Sequence, residues 1–220
     1  MYRYILFDLD GTLTDSREGI VHCVQETIES YGDPVPEEDV LLRFIGPPLQ
    51  DSFTRFCGYS AEKAAEAVER FRLRYEPVGQ YENRAAPGMV EVMGRLREKG
   101  YVLALASSKP ENLCRSICAR FGFAPFLSAL VGSPPGGDWA KEDVIREAMS
   151  QLGLTEADAP RVLMVGDRKF DVLGAKACGL DCAGVEFFGY AAPGELQEAG
   201  ASAVVSTAEK LESFILSHGS

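Results

Sequence analysis

A short apolar segment near the start of the chain ends in two acidic residues and a glycine, and few folds accommodate that order. Residues 4–7 predict a buried β-strand, and Asp8-Leu9-Asp10-Gly11-Thr12 follows directly. An ionised carboxylate away from water needs a partner or a metal ion, so Asp8 and Asp10 are expected at the carboxyl end of the strand. Open parallel α/β sheets bind their ligands at that end.

The spacing of the two acids indicates chemistry as well as position. Side chains two residues apart on extended backbone point to the same side, so Asp8 and Asp10 are expected to converge. Two such carboxylates suit Mg2+, and they also suit a nucleophile beside a general acid and base. Gly11 lets the backbone approach a ligand, and Thr12 adds a hydroxyl. A simple turn remains an alternative, because Asp-Gly is a common turn pair.

The rest of the chain alternates between apolar strands and helices, with one interruption. Residues 101–106 and 162–165 are continuous apolar segments typical of strands buried on both faces. Residues 16–84 instead predict helices only. The sequence therefore predicts an α/β protein with a doubly wound parallel sheet, built from residues 1–15 and 85–220, and an inserted helical domain at 16–84. A lid inserted beside a strand-end site would exclude water from it.

Composition and charge exclude several classes of protein. The 220 residues fit a core with a smaller inserted domain, and the net charge of −11 opposes binding to nucleic acid or to an anionic membrane. The six cysteines form no Cys-x-x-Cys pair and only two histidines are present, so we predict reduced thiols and no zinc site. With no signal peptide and no apolar run near the roughly 20 residues of a membrane span, a cytoplasmic location is expected.

Three later positions carry chemistry at the end of a strand or the start of a helix. Ser107, followed by Ser108, comes after the apolar segment 101–106, and Lys141 begins a predicted helix although the helix dipole disfavours a lysine there. Asp167 follows the segment 162–165 after one glycine, and Asp171 lies one helical turn further on. Taken singly, each also fits a helix cap or a surface charge.

The first motif and these later positions together resemble the haloacid dehalogenase (HAD) superfamily. Asp8-Leu9-Asp10-Gly11-Thr12-Leu13 is similar to the first family motif, and the other three follow in the family's order. The resemblance implies a Rossmann-like core with a small α-helical cap, and a Mg2+-dependent phosphatase that forms an aspartyl-phosphate. The resemblance also implies that Asp8 is the nucleophile and Asp10 the general acid and base. It implies phosphoryl contacts from Ser107, Ser108, Lys141 and the backbone around Gly11 and Thr12. The implied metal ligands are Asp8, the Asp10 carbonyl and Asp167, and Asp171 would support Lys141 or Asp167.

Within the superfamily, the residues favour phosphoryl transfer. Dehalogenases lack an acid at the position of Asp10. Phosphosugar mutases carry a cap histidine where this chain has Ile20, and His22 comes two residues later. A mutase is therefore a weaker alternative, and a catalytically idle binding or regulatory protein stays open because fold does not fix function.

The expected substrate is a small phosphorylated metabolite such as phosphoglycolate, a sugar phosphate or a nucleoside monophosphate. The chain looks most like phosphoglycolate phosphatase-like and 5'-nucleotidase-like members. Arg17, Arg43 and Phe44 of the cap are candidate substrate contacts, although solvated arginines are an equal alternative. A monomer is the default expectation, and a dimer is compatible with the sequence.

Overall fold

The computed structural model describes residues 1–134 and 139–219, so residues 135–138 and 220 of the predicted core segment 85–220 lie outside the description. The chain forms two compact units. The core comprises Met1–Thr14 and Ala85–Ser220, and the helical unit comprises Asp15–Arg84. The predicted boundaries of 1–15, 16–84 and 85–220 differ from these by one residue at the first junction.

Strands and helices alternate through the core. The strands of the described residues are β1 (Tyr4–Phe7), β2 (Thr14–Asp15), β3 (Arg84–Ala85), β4 (Val102–Pro110), β5 (Leu127–Ser133), β6 (Val162–Gly166), β7 (Asp181–Val185) and β8 (Ala203–Val205). The α-helices are α1 (Arg17–Glu29), α2 (Glu38–Leu41), α3 (Leu49–Cys57), α4 (Ala61–Tyr75), α5 (Met89–Glu98), α6 (Glu111–Arg120), α7 (Lys141–Gln151), α8 (Lys169–Ala177), α9 (Glu195–Ala199) and α10 (Ala208–Ser217). Short 3-10 helices cover Leu42–Phe44, Gly79–Tyr81, Ala124–Phe126 and Glu156–Arg161.

Six parallel strands form the main sheet in the order β5-β4-β1-β6-β7-β8, which confirms the predicted doubly wound fold. Strand β1 lies between β4 and β6, with Phe7 in register with Leu105 on one side and Val165 on the other. The chain order reverses at β1, and ligands of such sheets bind outside the strand ends at this reversal. The fold therefore brings the segments that follow β1, β4 and β6 to one edge.

Helices cover both faces of the sheet. Ile5 and Phe7 of β1 pack into one buried cluster with residues of α5, α6 and α10, while Leu6 packs into a second with residues of α7, α8 and α9. This alternation explains why the strands are apolar without interruption, since both sets of side chains are buried. The two clusters hold the strand ends that carry the polar residues in place.

The helical unit has an aromatic interior of its own. The rings of Phe44 and Phe53 lie 5.2 Å apart, and Phe53 stacks on Tyr59 at 5.9 Å. The predicted segment 16–84 was expected to hold no strand, whereas β3 begins at Arg84 and pairs with β2. An ion pair of 2.7 Å between the Arg84 guanidinium and the Asp15 carboxylate supports this two-stranded pairing.

The six cysteines are free thiols, four of them in the interior of the core. Among the described residues, no helix combines the length and the apolar character needed to cross a membrane.

Candidate active site

Five predicted residues of the core stand at one edge of the sheet, each positioned by a different element. Asp8 follows β1, Ser107 lies in the last part of β4, and Asp167 follows β6. Lys141 is the first residue of α7, and Asp171 lies in the first turn of α8. All five are at least nine-tenths buried.

Lys141 joins two of the carboxylates. Its Nζ lies 2.7 Å from Asp8 Oδ1 and 2.7 Å from Asp171 Oδ1, and it also donates to the Ala106 carbonyl at 3.3 Å. Burial by itself lowers the pKa of Lys141, but the Asp171 and Asp8 carboxylates outweigh it and raise the pKa above its ordinary value. The ammonium is therefore charged, and these two partners explain a lysine at a helix start, where the dipole opposes it.

Asp167 is a buried carboxyl group that is only partly satisfied. Its Oδ1 accepts a hydrogen bond of 3.4 Å from Thr12 Oγ1, whereas its Oδ2 has no hydrogen-bond partner among the described residues. Burial raises the pKa of Asp167 well above its ordinary value, and the neighbouring carboxylates of Asp171 and Asp8 raise it further. A nearby cation would give Oδ2 a partner and would stabilise the charged form of the buried Asp167 carboxyl group.

Side-chain oxygens of Asp8, Asp167 and Asp171 lie within 4.8 Å of one another. Clustered carboxylate oxygens are the donors that Mg2+ and Ca2+ prefer, so the residues present fit a hard divalent cation. The predicted ligands were Asp8, Asp167 and the backbone carbonyl of Asp10, with Asp171 as a supporting residue. The structure places an Asp171 oxygen inside the acidic cluster as well as against Lys141.

Asp171 is fixed at the start of α8. Its Oδ2 accepts the Arg168 N–H at 3.0 Å, which leaves Oδ1 to contact the Lys141 ammonium. Burial raises the pKa of Asp171 even though Lys141 opposes this effect. The residue thus holds Lys141 toward Asp8, as a supporting residue would.

Gly11 shapes the turn that follows β1. Its φ of +83° is strained for any residue with a β-carbon, and a β-carbon there would overlap Asp167 Oδ2 and lie 2.6 Å from Tyr190 Cδ2. The Gly11 N–H donates to the Thr14 carbonyl at 2.7 Å, and the Thr12 N–H donates to the Leu9 carbonyl at 3.2 Å.

The predicted roles of Gly11 and Thr12 as substrate contacts stay predictions. Both N–H groups are used inside the turn, and the Thr12 hydroxyl, which is fully buried, is directed to Asp167. Their position allows close packing against Asp167.

Ser107 and Ser108 lie inside β4 and not after it, because β4 continues to Pro110. Ala106 pairs with Val131 and Pro110 pairs with Ser133, so three residues of β4 stand against one of β5. Such a bulge redirects side chains and often lies beside an active site. Ser107 is buried and its Oγ accepts the Lys109 N–H at 3.4 Å, whereas Ser108 is exposed.

Two residues that the sequence did not single out contact the predicted site. Lys109 forms an ion pair of 2.7 Å with Asp10, and the Tyr190 ring lies against Gly11. Lys109 lies two residues beyond Ser107 within the bulge of β4, so its direction depends on the pairing of β4 with β5. Tyr190 follows β7 in a Phe-Phe-Gly-Tyr segment, which carries no signal for this position.

The predicted contacts of the helical unit stay predictions. Arg43 is exposed and lies 3.7 Å from the Asp39 carboxylate, and Arg17 is half-buried beside Asp15. Phe44 is 1% exposed and packs within the aromatic interior of the unit. In this structure Phe44 therefore leaves almost no surface for a substrate.

The family model described as haloacid dehalogenase-like hydrolase matches residues 5–185. A 5'-nucleotidase from Pseudomonas aeruginosa is 41% identical over 197 residues, which cover 89% of this chain and 87% of that protein. The crystal structure of a predicted phosphatase from Clostridium acetobutylicum shares 36% identity, with a TM-score of 0.91 and coverage of 99% of both chains.

A tyrosine-protein kinase, PtkA, from Mycobacterium tuberculosis is 39% identical over 179 residues, or 80% of this chain. The matched region spans 60% of that protein, less than two thirds of its length.

Proposed function

The chain belongs to the haloacid dehalogenase-like hydrolase family and is a phosphatase, and from this premise we propose that it hydrolyses a small organic phosphomonoester in a Mg2+-dependent reaction through an aspartyl-phosphate. The contact between Lys141 Nζ and Asp8 Oδ1 at 2.7 Å carries this proposal. This contact pairs the carboxylate of the proposed nucleophile with a charged ammonium in a buried site, where electrostatic stabilisation is strong.

Asp8 is the proposed nucleophile. Its carboxylate oxygen attacks the phosphorus, and the bond from phosphorus to the ester oxygen breaks as Asp10 gives a proton to the departing alkoxide. Asp10 then takes a proton from water, which attacks the phosphorus and releases inorganic phosphate and the free Asp8 carboxylate. The charge of Lys141 offsets the negative charge that gathers on the transferring group.

The proposed metal-binding residues are Asp8, Asp167 and the backbone carbonyl of Asp10, with Asp171 beside them. The orphaned Oδ2 of Asp167 and the clustered oxygens of the three aspartates fit Mg2+. When bound, the ion supplies positive charge that reduces repulsion between the anionic phosphoryl group and the Asp8 carboxylate. Asp171 contributes by holding Lys141, which reduces the same repulsion from the protein side.

Nucleoside monophosphates are the first substrates to test, since the relative from Pseudomonas aeruginosa is named a 5'-nucleotidase. Phosphoglycolate and sugar phosphates follow. Two alternatives remain to be separated from hydrolysis. A mutase would return the phosphoryl group to a second sugar hydroxyl, and an idle binding protein would turn over no substrate.

The test is release of inorganic phosphate from a panel of nucleoside monophosphates, phosphoglycolate and sugar phosphates, ranked by kcat/KM with Mg2+, with chelator, and with Mg2+ restored. We expect activity that chelation removes and Mg2+ restores. Transfer to a second hydroxyl without phosphate release would identify a mutase. No turnover of any ester across pH 5–9 and several divalent metals would reject the proposed activity.

A further inference from the structure

A second lysine of the core contacts the second acid of the first motif. Lys109 Nζ lies 2.7 Å from Asp10 Oδ2, although the residues are 99 positions apart in the chain. The Lys109 side chain is 7% exposed and that of Asp10 is 18% exposed. A long charged side chain is rarely held this far from water unless a partner fixes it.

The backbone around Lys109 is fixed from several directions. Its N–H donates to Ser107 Oγ at 3.4 Å, and its carbonyl accepts a contact of 3.5 Å from Cys114 Sγ of α6. A β-carbon on Gly132 of β5 would lie 2.6 Å from the same carbonyl oxygen, so the strands approach closely there. These contacts hold the bulge of β4, and the bulge directs Lys109 to Asp10.

The two lysines of the site serve different aspartates. Lys141 contacts Asp8 and Asp171, whereas Lys109 contacts Asp10. The pairing with Lys109 occupies Asp10 Oδ2, while Asp10 Oδ1 is a buried atom that has no hydrogen-bond partner within residues 1–134 and 139–219. One carboxylate oxygen is therefore anchored and the other is left to exchange a proton.

Resting on the proposed phosphatase activity, we propose that Lys109 is a positioning residue that anchors Asp10 Oδ2 and so presents Oδ1 to the leaving group and to the hydrolytic water. Lys109 acts through Asp10 and not on the phosphoryl group. Proton transfer requires the donor and acceptor atoms within hydrogen-bond reach, so a carboxyl group free to rotate would protonate the leaving group less often.

Substrates with different leaving groups distinguish positioning of Asp10 by Lys109 from a direct action of Lys109 on the phosphoryl group. An alkoxide needs a proton as it departs, whereas 4-nitrophenolate departs without one. The parameter kcat/KM covers the steps up to departure of the leaving group, so later hydrolysis of the aspartyl-phosphate does not affect it. We expect Lys109→Met to lower kcat/KM for the best alkyl phosphate by about 10-fold or more and for 4-nitrophenyl phosphate by less than about 3-fold.

Two further variants test whether the effect passes through Asp10. Lys109→Arg keeps the charge and should recover at least about a third of the lost kcat/KM for the alkyl phosphate. In an Asp10→Asn background, Lys109→Met should change kcat/KM by less than about 2-fold, because the residue through which it acts is already disabled. Lys99→Met, at an exposed position, is the matched control.

Three outcomes would overturn the proposal. Equal losses for alkyl and aryl esters would show that leaving-group departure is not the step affected. A rise of about 10-fold or more in the inhibition constant of inorganic phosphate would place Lys109 on the phosphoryl group instead. An undiminished loss in the Asp10→Asn background would show that Asp10 is not the route.

Folding and activity are monitored separately. Circular dichroism identifies a variant that does not fold. If Lys109→Met does not fold, Lys109→Arg and Lys109→Gln carry the leaving-group comparison. The proposal is overturned if both variants fold and both keep the wild-type ratio of alkyl to aryl kcat/KM. Failure of the proposed function itself would be visible in the wild-type protein, as absence of phosphate release that depends on Mg2+.

Discussion

The ammonium nitrogen of Lys141 lies 2.7 Å from Oδ1 of Asp8, although 133 positions of the chain separate the two residues. The contact depends on the sheet order, which places β1 beside β4, and on α7, which packs into the same buried cluster as Leu6 of β1. Asp171 holds the same ammonium from the other side at 2.7 Å. The nucleophile of the proposed reaction is therefore paired with a charge that the fold supplies before any substrate arrives.

Replacing Lys141 with methionine should remove that charge. We expect kcat to fall by about 10²–10³-fold, the usual loss when one stabilising group of a buried site is deleted. Removing one partner of a buried ion pair should also destabilise the protein by about 3 kcal/mol, so rates are compared well below the melting temperature of the variant. Lys99→Met is the control, and a folded Lys141→Met that keeps near-normal kcat would contradict the assigned role.

Replacing Asp8 with asparagine should stop turnover without unfolding the protein. The amide is nearly isosteric but is a poor nucleophile, so kcat should fall at least about 10³-fold. Acid quenching of the wild-type protein with radiolabelled substrate should trap a phosphorylated protein, and the variant should trap none. Asp51→Asn, at an exposed acid on α3, should retain full activity. A labelled Asp8→Asn would mean that another residue is the nucleophile.

Asp167 should govern the response to Mg2+. Saturation to 100 times the dissociation constant stabilises a folded protein by about 2.7 kcal/mol, so Mg2+ should raise the melting temperature of the wild type. Asp167→Asn should lose this rise and need about 10–100-fold more Mg2+ for half-maximal activity. Because burial makes a charge at Asp167 costly, the metal-free variant should be at least as stable as the metal-free wild type. A full thermal response to Mg2+ in Asp167→Asn would remove this residue from the ligand set.

The sequence alone located the strand ends because charge interrupts apolar segments there. Asp8 follows the segment 4–7, Asp167 follows 162–166, and each position is set by local pattern. Parallel neighbours share an edge, so a predicted sheet was enough to expect these carboxylates together. The cluster of Asp8, Asp167 and Asp171 agrees with that expectation.

Lys109 could not be located in this way, because its position depends on pairing between strands. The bulge that redirects it exists only because Ala106 pairs with Val131 and Pro110 with Ser133. No local pattern in residues 107–109 specifies that pairing. The same limit applies to the hydrogen bonds that the Gly11 and Thr12 N–H groups donate inside the turn, which no local pattern specified.

Gly11 should not tolerate a β-carbon. At φ of +83°, alanine costs about 1 kcal/mol in backbone strain, and overlap with Asp167 adds about 2 kcal/mol more. Gly122→Ala is the matched control, since Gly122 has a φ of +80° and nothing within 4 Å of its would-be β-carbon. Urea unfolding should show a loss of about 1 kcal/mol for the control and about 3 kcal/mol for Gly11→Ala. Equal losses would mean that only backbone strain matters at Gly11.

Glu82 should make the helical unit less stable in acid. Two hydrogen bonds of 3.0 Å from Arg74 hold the pKa of the Glu82 carboxyl below its ordinary value. A group with a depressed folded pKa adds stability that is present above the unfolded pKa of about 4.3 and is lost as pH falls through the folded pKa. At pH 6, Glu82→Gln should therefore lower the free energy of unfolding by about 1 kcal/mol, and at pH 2 the difference should vanish. Urea unfolding at both pH values measures the free energy of unfolding, with Glu98→Gln, at an exposed position, as the control. If the loss of stability in Glu82→Gln persisted unchanged at pH 2, the charge pairing with Arg74 would not be its source.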